Sequence, residues 1–355
     1  MTKYEENSNS PIDKSQLASR KSDHIRINLE EDVQSTLQNG FNNYRFIHEA
    51  LPEINLDEID LSQNIFNKNV QIPILISSMT GGTPEAEKIN LLLAEAAQEY
   101  KIALGIGSQR VAIENPELAN SFRVRRKAPD ILLFANLGAI QLNYGYTIEH
   151  CKRAVDMIDA DALILHLNAL QEALQPEGET NFAGLLAKIE MICKQLPTPV
   201  IAKEVGWGIS ERTARLLANA GVSAIDIAGA GGTSWSQVEM YRSKDKKEAM
   251  VARSFHNWGI PTAQSILEVR KGAPQMMIFA SGGIGSGIDI AKSIALGSSL
   301  GGIAGAFLKT AKNSLADTVN VIELLSSELK ISMFSVGAKN VKQLRNSSLI
   351  YDVSR

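Results

Sequence analysis

Short apolar runs and amphipathic stretches alternate along most of this chain. From about residue 70 the runs IPILISSM, IALGIGS, ILLFANLG, ALILHLN, PVIAKEV, AIDIAGAGG, MMIFASGG and LGGIAGAFL each read as a buried strand. Between them PEAEKINLLLAEAAQEYK, TIEHCKRAVDMIDA, SERTARLLANAG and GIDIAKSIALG repeat apolar residues every three or four positions, the period of a helix with one face on a core. Strands alternating with helices predict βαβ units and a parallel sheet. Eight such runs in 355 residues favour an α/β fold of the closed (β/α)8, or TIM barrel, kind over an open doubly wound sheet.

A second pattern supports closure. Nearly every run is apolar where it starts and turns to Gly, Ser, Asn or a charged residue where it ends. In a barrel the carboxyl ends of the strands form the active face. The expected organisation is a single barrel domain over 70–330, preceded by a disordered polar tail at 1–19 and a segment 20–69 that covers one end of the barrel or folds over its mouth. Residues 331–355 form a C-terminal segment. The charged stretch 235–258, with SKDKKEAMVARS after the sixth run, reads either as a solvated helix or as a lid on the active face.

Composition narrows the class. The chain is 44% hydrophobic and 21% charged, ordinary globular values, and its net charge of −3 gives no electrostatic case for nucleic acid. Its two cysteines, Cys151 and Cys193, fall in helical patterns, which argues against zinc and disulfides and for a reducing cytoplasm. The N-terminus MTKYEENSNSPIDKSQ lacks the apolar core of a signal peptide, and no apolar run spans a bilayer, so a cytoplasmic protein without membrane contact is expected. A homo-oligomer is the expected state.

The candidate chemistry sits at the strand ends. SGGIGSG (281–287) and GGIAGAF (301–307) follow the seventh and eighth runs, where these barrels bind phosphate, and glycines let backbone N–H groups approach an anion closely. IDIAGAGGTSW adds a third glycine-rich end, with Thr233 as a side-chain donor. Lys203 lies within a run, where a buried ammonium needs an anion or an electron-rich ring beside it; Glu204 points to the opposite face. The fourth run ends in His166 and Asn168, on one face by period two, and Gln171, Glu172 and Gln175 follow, then Pro176-Glu177-Gly178, more hydrogen-bonding capacity than a turn requires. Arg110 directly follows a strand end, and a guanidinium suits phosphate.

Taken in order, RKSDH, SSMTGG, GIGSQR, NLGAIQL, HLNALQEALQPEG, AKEVGWG, AGAGGTSW and SGGI span about residues 20–310, and the set resembles the type 2 isopentenyl-diphosphate delta-isomerases. The His-Leu-Asn…Gln-Glu…Pro-Glu-Gly block and Gly-Ala-Gly-Gly-Thr-Ser-Trp are the most specific parts. The resemblance implies an FMN-dependent barrel that interconverts isopentenyl and dimethylallyl diphosphate, with Mg2+ and with NADPH or NADH as reductant. Carried over by position, Ser78, Met79 and Thr80 line the flavin, with Ser108 and Asn136 nearby and Lys203 at the pyrimidine side. Thr233 and the backbone of Gly283, Ile284, Ala304 and Gly305 hold the FMN phosphate. Arg20, Lys21, Ser108, Gln109 and Arg110 contact the diphosphate, Gln171 the substrate, and Glu172 the Mg2+. His166, Gln171 and Lys203 are the candidate catalytic residues. Two positions depart from the family pattern: Ala228 stands where Ser is common and Gly285 where Arg usually follows Gly-Gly-Ile.

Two other functions use the same barrel. An FMN-dependent hydroxy-acid oxidase would need an Arg for the carboxylate and a His base, and would transfer hydride. A flavin-binding sensor would not need a metal carboxylate. The Gln171-Glu172 pair and the Arg20-Lys21 and Arg110 clusters suit a diphosphate better.

Overall fold

A computed structural model describes residues 14–345, 348 and 350–353. Each of the eight apolar runs contains a strand: β1 (Ile74–Ile76), β2 (Ala103–Gly105), β3 (Leu133–Gly138), β4 (Ala162–Leu167), β5 (Val200–Glu204), β6 (Ala224–Asp226), β7 (Met277–Ser281) and β8 (Leu300–Ile303). They pair in parallel in chain order, and β8 returns to β1 through Gly301↔Ile74, Gly302↔Leu75 and Ile303↔Ile76, which closes the barrel. Closure removes every sheet edge, so each strand's backbone is paired on both sides. The strands are short because only their middle layers are core; their carboxyl ends are spent on the site.

The helices form where the period predicted. Pro84–Tyr100 starts with Thr83 accepting from Ala86 N–H and Pro84 in the first turn, and buries Ile89, Leu93, Ala94 and Ala97 on one face. Ser210, Ser286 and Ser314 cap the helices Glu211–Asn219, Gly287–Ala295 and Leu315–Ser335 in the same way. The last of these crosses position 330, so the expected boundary between barrel and C-terminal segment falls inside one helix. Beyond it, Ile350–Asp352 pairs antiparallel with Tyr44–Phe46 and ties the chain's end to its N-terminal segment.

That N-terminal segment covers both ends of the barrel. The helix Lys14–Glu30 lies over the mouth, where Arg20, Lys21, His24, Ile25 and Asn28 face the cavity. The expected disordered tail at 1–19 overlaps this helix from Lys14 onward; the rest of that expectation, residues 1–13, lies outside the described residues. At the opposite end the antiparallel pair Gln63–Ile65 and Lys68–Val70 turns through Phe66 and Asn67, both at positive φ (49° and 63°). This turn sets the Phe66 ring edge-on to Phe134 and Phe279. Phe134 and Phe279 stack across the barrel with centroids 5.7 Å apart, among Leu75, Ile164, Ile201 and Leu300. The lower barrel is thus a packed apolar plug, each fully buried side chain contributing about 1.5–3 kcal/mol, and only the upper end is open.

The stretch 235–258 is two helices rather than one insertion. Trp235–Arg242 is a wall of the site, with Val238 and Glu239 buried and Val238 packed with Ile27, Val33 and Trp235. The solvated-helix reading holds only for Lys246–Arg253, where Met250 and Val251 are exposed.

Candidate active site

At the carboxyl ends of the strands a single cavity of about 670 Å³ opens, within the range of small-ligand and cofactor sites. Arg20, Lys21, Ser78, Met79, Thr80, Ser108, Arg110, Asn136, His166, Gln171, Glu172, Lys203, Thr233, Gly283, Ile284, Ala304 and Gly305 all line it. Gln109 does not. Its side chain is wholly buried, donating to Ala154 O at 2.8 Å and accepting from Asn136 N–H at 2.9 Å. Gln109 therefore braces the β2 and β3 ends from behind and is no ligand residue; the sequence showed it beside Arg110 without showing which way each points.

One side of the cavity is a cradle of backbone donors. The helix Gly305–Asn313 begins after Ala304, which offers no side-chain cap, unlike the Ser- and Thr-capped helices around the barrel. Its first-turn N–H groups are left for a ligand. A methyl on Gly305 or Gly285 would meet nothing within 4 Å, so both open onto free space. Behind them, two glycine loops touch backbone to backbone: a methyl on Gly283, at φ +68°, would lie 2.1 Å from Gly231 O, and one on Gly232 2.5 Å from Gly283 N. Only glycine permits that contact. Thr233 borders the same cradle. Ala228, the other departure from the family pattern, is buried against the cavity with φ +34°.

Under the cradle the floor is polar. Ser77 and Ser78 have buried hydroxyls without a partner. Ser77 was not singled out in the sequence; the resemblance pointed to Ser78 alone of the two. His166 Nδ1 lies 2.8 Å from Asn136 Oδ1. Burial first, then the nearby Lys203, Lys21 and Arg20 charges, press its pKa down to about 3. The ring is neutral at ordinary pH; with Nδ1–H donated to the amide oxygen, Nε2 is an acceptor. Lys203 has the anionic partner that the sequence did not identify, Asp226 on the neighbouring strand, at 3.4 Å.

The opposite side combines carboxylates and cations. Glu172 accepts from Asn168 Nδ2 at 2.8 Å, Gln175 Nε2 at 2.5 Å and Glu179 N–H at 2.7 Å. Beside it Asn168 Oδ1 and Gln175 Oε1 are buried acceptors with no donor. Among the described residues no three His, Cys, Asp or Glu side chains converge as a metal cage. Arg110 is forked onto Glu179 at 2.8 and 2.9 Å and donates Nε–H to Glu114 at 2.8 Å. Lys21 donates to Ser108 O at 2.8 Å and lies 5.2 Å from the Phe122 ring centroid. Burial, and next the Arg20 charge, lower the Lys21 ammonium to about 7.

The helix Trp235–Arg242 supplies a residue that the sequence reading missed. Glu239, 2% exposed, accepts from Gln171 Nε2 at 3.1 Å and from Arg242 Nε at 2.7 Å. His24 Nε2 approaches the same carboxylate at 3.2 Å without the in-line geometry of a hydrogen bond. Burial opposes the Glu239 charge, yet these basic neighbours hold its carboxyl down at about 2. Burial itself lowers the pKa of His24. We assign the negative charge to Glu239 on the strength of Arg242, which is charged at any ordinary pH. His24 was legible in principle, because it stands four residues from Arg20 and so on the same helix face. Glu239 was hidden in a charged stretch.

Comparison with known proteins shows the family and the fold. Residues 160–351, more than half of the chain, match the model of the FMN-dependent dehydrogenase family. Mandelate oxidase with (S)-2-phenylpropionate shares the fold at a TM-score of 0.63 and 18% identity, covering 94% of this chain and 96% of that one. Isopentenyl-diphosphate delta-isomerase of Nostoc sp. is 52% identical over 336 residues, 94% of this chain and 96% of the relative. The Synechocystis sp. isopentenyl-diphosphate delta-isomerase is 54% identical over 92% and 93% of the two chains. With half its residues shared across nearly the whole of both chains, this protein belongs to the isopentenyl-diphosphate delta-isomerase family, built on the barrel of the FMN-dependent dehydrogenases.

Proposed function

We propose that the chain interconverts isopentenyl and dimethylallyl diphosphate in isoprenoid biosynthesis, with reduced FMN and Mg2+ bound in this cavity and NADPH as the source of electrons. The observation that carries the reading is that one cavity combines two separate groups of residues whose chemistry suits phosphate. One is the cradle of Thr233, Gly283, Ile284, Ala304 and Gly305; the other is the cationic side with Arg20 and Lys21.

The residues fit both groups. The uncapped helix at Gly305 and the open glycines suit a phosphate, and the unpartnered Ser77 and Ser78 hydroxyls, with Asn136 and Lys203, suit the polar edge of a flavin ring. A dication that keeps waters and substrate oxygens needs few protein ligands, and Glu172 with the free amide oxygens of Asn168 and Gln175 offers hard oxygens in one place. When bound, the reduced flavin supplies an electron-rich surface that stabilises positive charge on an alkene and exchanges protons with it.

The chain's own part is to bind, orient and exclude water. Arg20 and Lys21 hold the diphosphate, joined by the two N–H groups that Arg110 does not spend on carboxylates. Glu239 takes one Gln171 N–H and so fixes which face of that amide meets the substrate. His166, with its pKa near 3, stays neutral and orients groups through Nε2. The Lys14–Glu30 helix over the mouth and Trp235 at the wall keep water from the cationic transition state.

The test is product formed per NADPH oxidised under nitrogen, with isopentenyl diphosphate in large excess. Isomerisation without net redox change predicts many turnovers per NADPH and no activity of the oxidised protein. A ratio near one would assign redox turnover and overturn the reading. We also propose that copies of the chain associate through exposed apolar side chains such as Met250 and Trp258, which light scattering of the purified protein would check.

A further inference from the structure

The floor of the cavity carries an ion pair that the reaction outlined above does not use. Lys203 on β5 and Asp226 on β6 are register partners in adjacent parallel strands, so their side chains leave the barrel wall on the same side. Lys203 Nζ stands 3.4 Å from Asp226 Oδ2 and donates to the backbone oxygen of Glu204 at 2.9 Å. Both side chains are enclosed, with Lys203 at 7% and Asp226 at 1% exposure. On the far side, Ser281 of β7 donates its hydroxyl to Asp226 Oδ1 at 2.5 Å.

The three residues form a row across three strands, and the order within it matters. Lys203 and Ser281 line the cavity, whereas Asp226 is not among the lining residues. Its charge therefore reaches the cavity mainly through what it does to Lys203. A core that needed only filling would place an apolar residue at 226, as the chain does at Ile225 and Ile227 on either side. A buried ion pair is a weak source of stability, because desolvation offsets most of the attraction. Asp226 Oδ2 has the ammonium beside it and no hydrogen bond, so electrostatics rather than a rigid bond sets the arrangement.

We infer that Asp226 is a positioning residue that anchors the Lys203 ammonium at the flavin ring and offsets part of its charge, so that the Lys203–Asp226–Ser281 row sets the reduction potential of the bound cofactor. The inference rests on the FMN placement proposed above. Its physical basis is that the reduced ring is held as an anion. A bare ammonium would stabilise that anion strongly, and a carboxylate behind the ammonium reduces the effect in a medium where charges are poorly screened. The isomerase thereby keeps its flavin reducible without holding the negative charge so tightly that the ring stops being electron-rich.

The experiment is a potentiometric titration of the purified holoenzyme under nitrogen against a reference dye. Asp226→Asn keeps the size of the side chain and removes the charge. Reduced FMN should then bind about tenfold more tightly relative to oxidised FMN, a rise of about 30 mV in the two-electron potential. Asp226→Ser retains a hydroxyl partner for Ser281, so it offers a second variant should the first not fold, and it has to move the potential in the same direction. Lys203→Met should move it the opposite way. If Lys203→Met shifts the potential but the folded Asp226 variants leave it unchanged or lower it, the inference about Asp226 is overturned and the placement of the ring stands. If Lys203→Met changes nothing, the ring is not beside Lys203, and placement and inference fall together.

Discussion

Replacing Glu172 by Gln tests the metal site and the structure around it in one variant. The carboxylate accepts three hydrogen bonds: Asn168 Nδ2 on Oε1, and Gln175 Nε2 and Glu179 N–H on Oε2. An amide has one oxygen, which must occupy the Oε2 position, where two donors meet it. Its NH2 then faces the Asn168 NH2, a donor against a donor. Asn168 can turn its own amide over, because its Oδ1 has no donor at present, but this gives up the 3.3 Å bond from its Nδ2 to Gln171 Oε1. Each of the three bonds passes from charge-assisted to neutral, a loss of about 1 kcal/mol apiece, so the variant should be less stable by about 3 kcal/mol and still fold. The proposed Mg2+ site would lose its formal negative protein ligand, and a neutral amide binds a hard dication more weakly; a loss of about 2 kcal/mol is a roughly thirtyfold higher Mg2+ concentration at half-maximal activity. FMN, proposed to sit on the other side of the cavity, should bind as before. The assay is a Mg2+ titration of isomerase activity in chelator-buffered solution, with flavin fluorescence followed in parallel. An unchanged Mg2+ midpoint in a folded, flavin-loaded variant would place the metal elsewhere and refute the assignment.

Three further outcomes are expected. Arg110→Ala should raise KM for the diphosphate at least tenfold with little effect on FMN affinity, since charge-assisted bonds to a ligand contribute about 1.5–3 kcal/mol each; it should also lower Tm, because Glu179 loses its forked partner. Lys21, lowered to about 7, is largely neutral in the free protein at pH 8 and should gain a proton when the diphosphate binds, so calorimetry in buffers of different ionisation enthalpy should find proton uptake at pH 8 that shrinks by pH 6, and none at pH 8 would refute the role. His166 has a folded pKa of about 3 against an ordinary 6.5, so between these values the unfolded chain binds the extra proton; stability should fall as pH drops below 6.5, by up to about 1.4 kcal/mol per unit from this residue, and denaturant melts of His166→Gln should show a shallower acid dependence.

The barrel, its eight strands and its glycine-rich strand ends are legible in the order of the residues alone. The strand and helix patterns are local: a buried parallel strand must be apolar along its length, and a helix on its surface must be apolar every three or four positions; the glycines mark close approaches, since a methyl on Gly283 would lie 2.1 Å from Gly231 O. The strand ends were legible for a related reason, since polar residues such as His166, Asn168 and Glu172 at and just beyond the end of a core strand have nowhere to go but the mouth of the barrel. Direction and partnership were decided only in three dimensions. Gln109 and Arg110 are neighbours in the chain, yet one braces two strands and the other meets the cavity, because the backbone turns into a helix at Arg110. Asp226 sits in an apolar run, and only pairing with β5 brings it to Lys203. Glu239, in a charged stretch that read as a solvated helix or a lid, is buried because the helix Trp235–Arg242 is pressed between the N-terminal helix and the short helix Ala169–Leu174 that carries Gln171. A buried charge is stable only beside its partners, and these partners come from segments far apart in the chain.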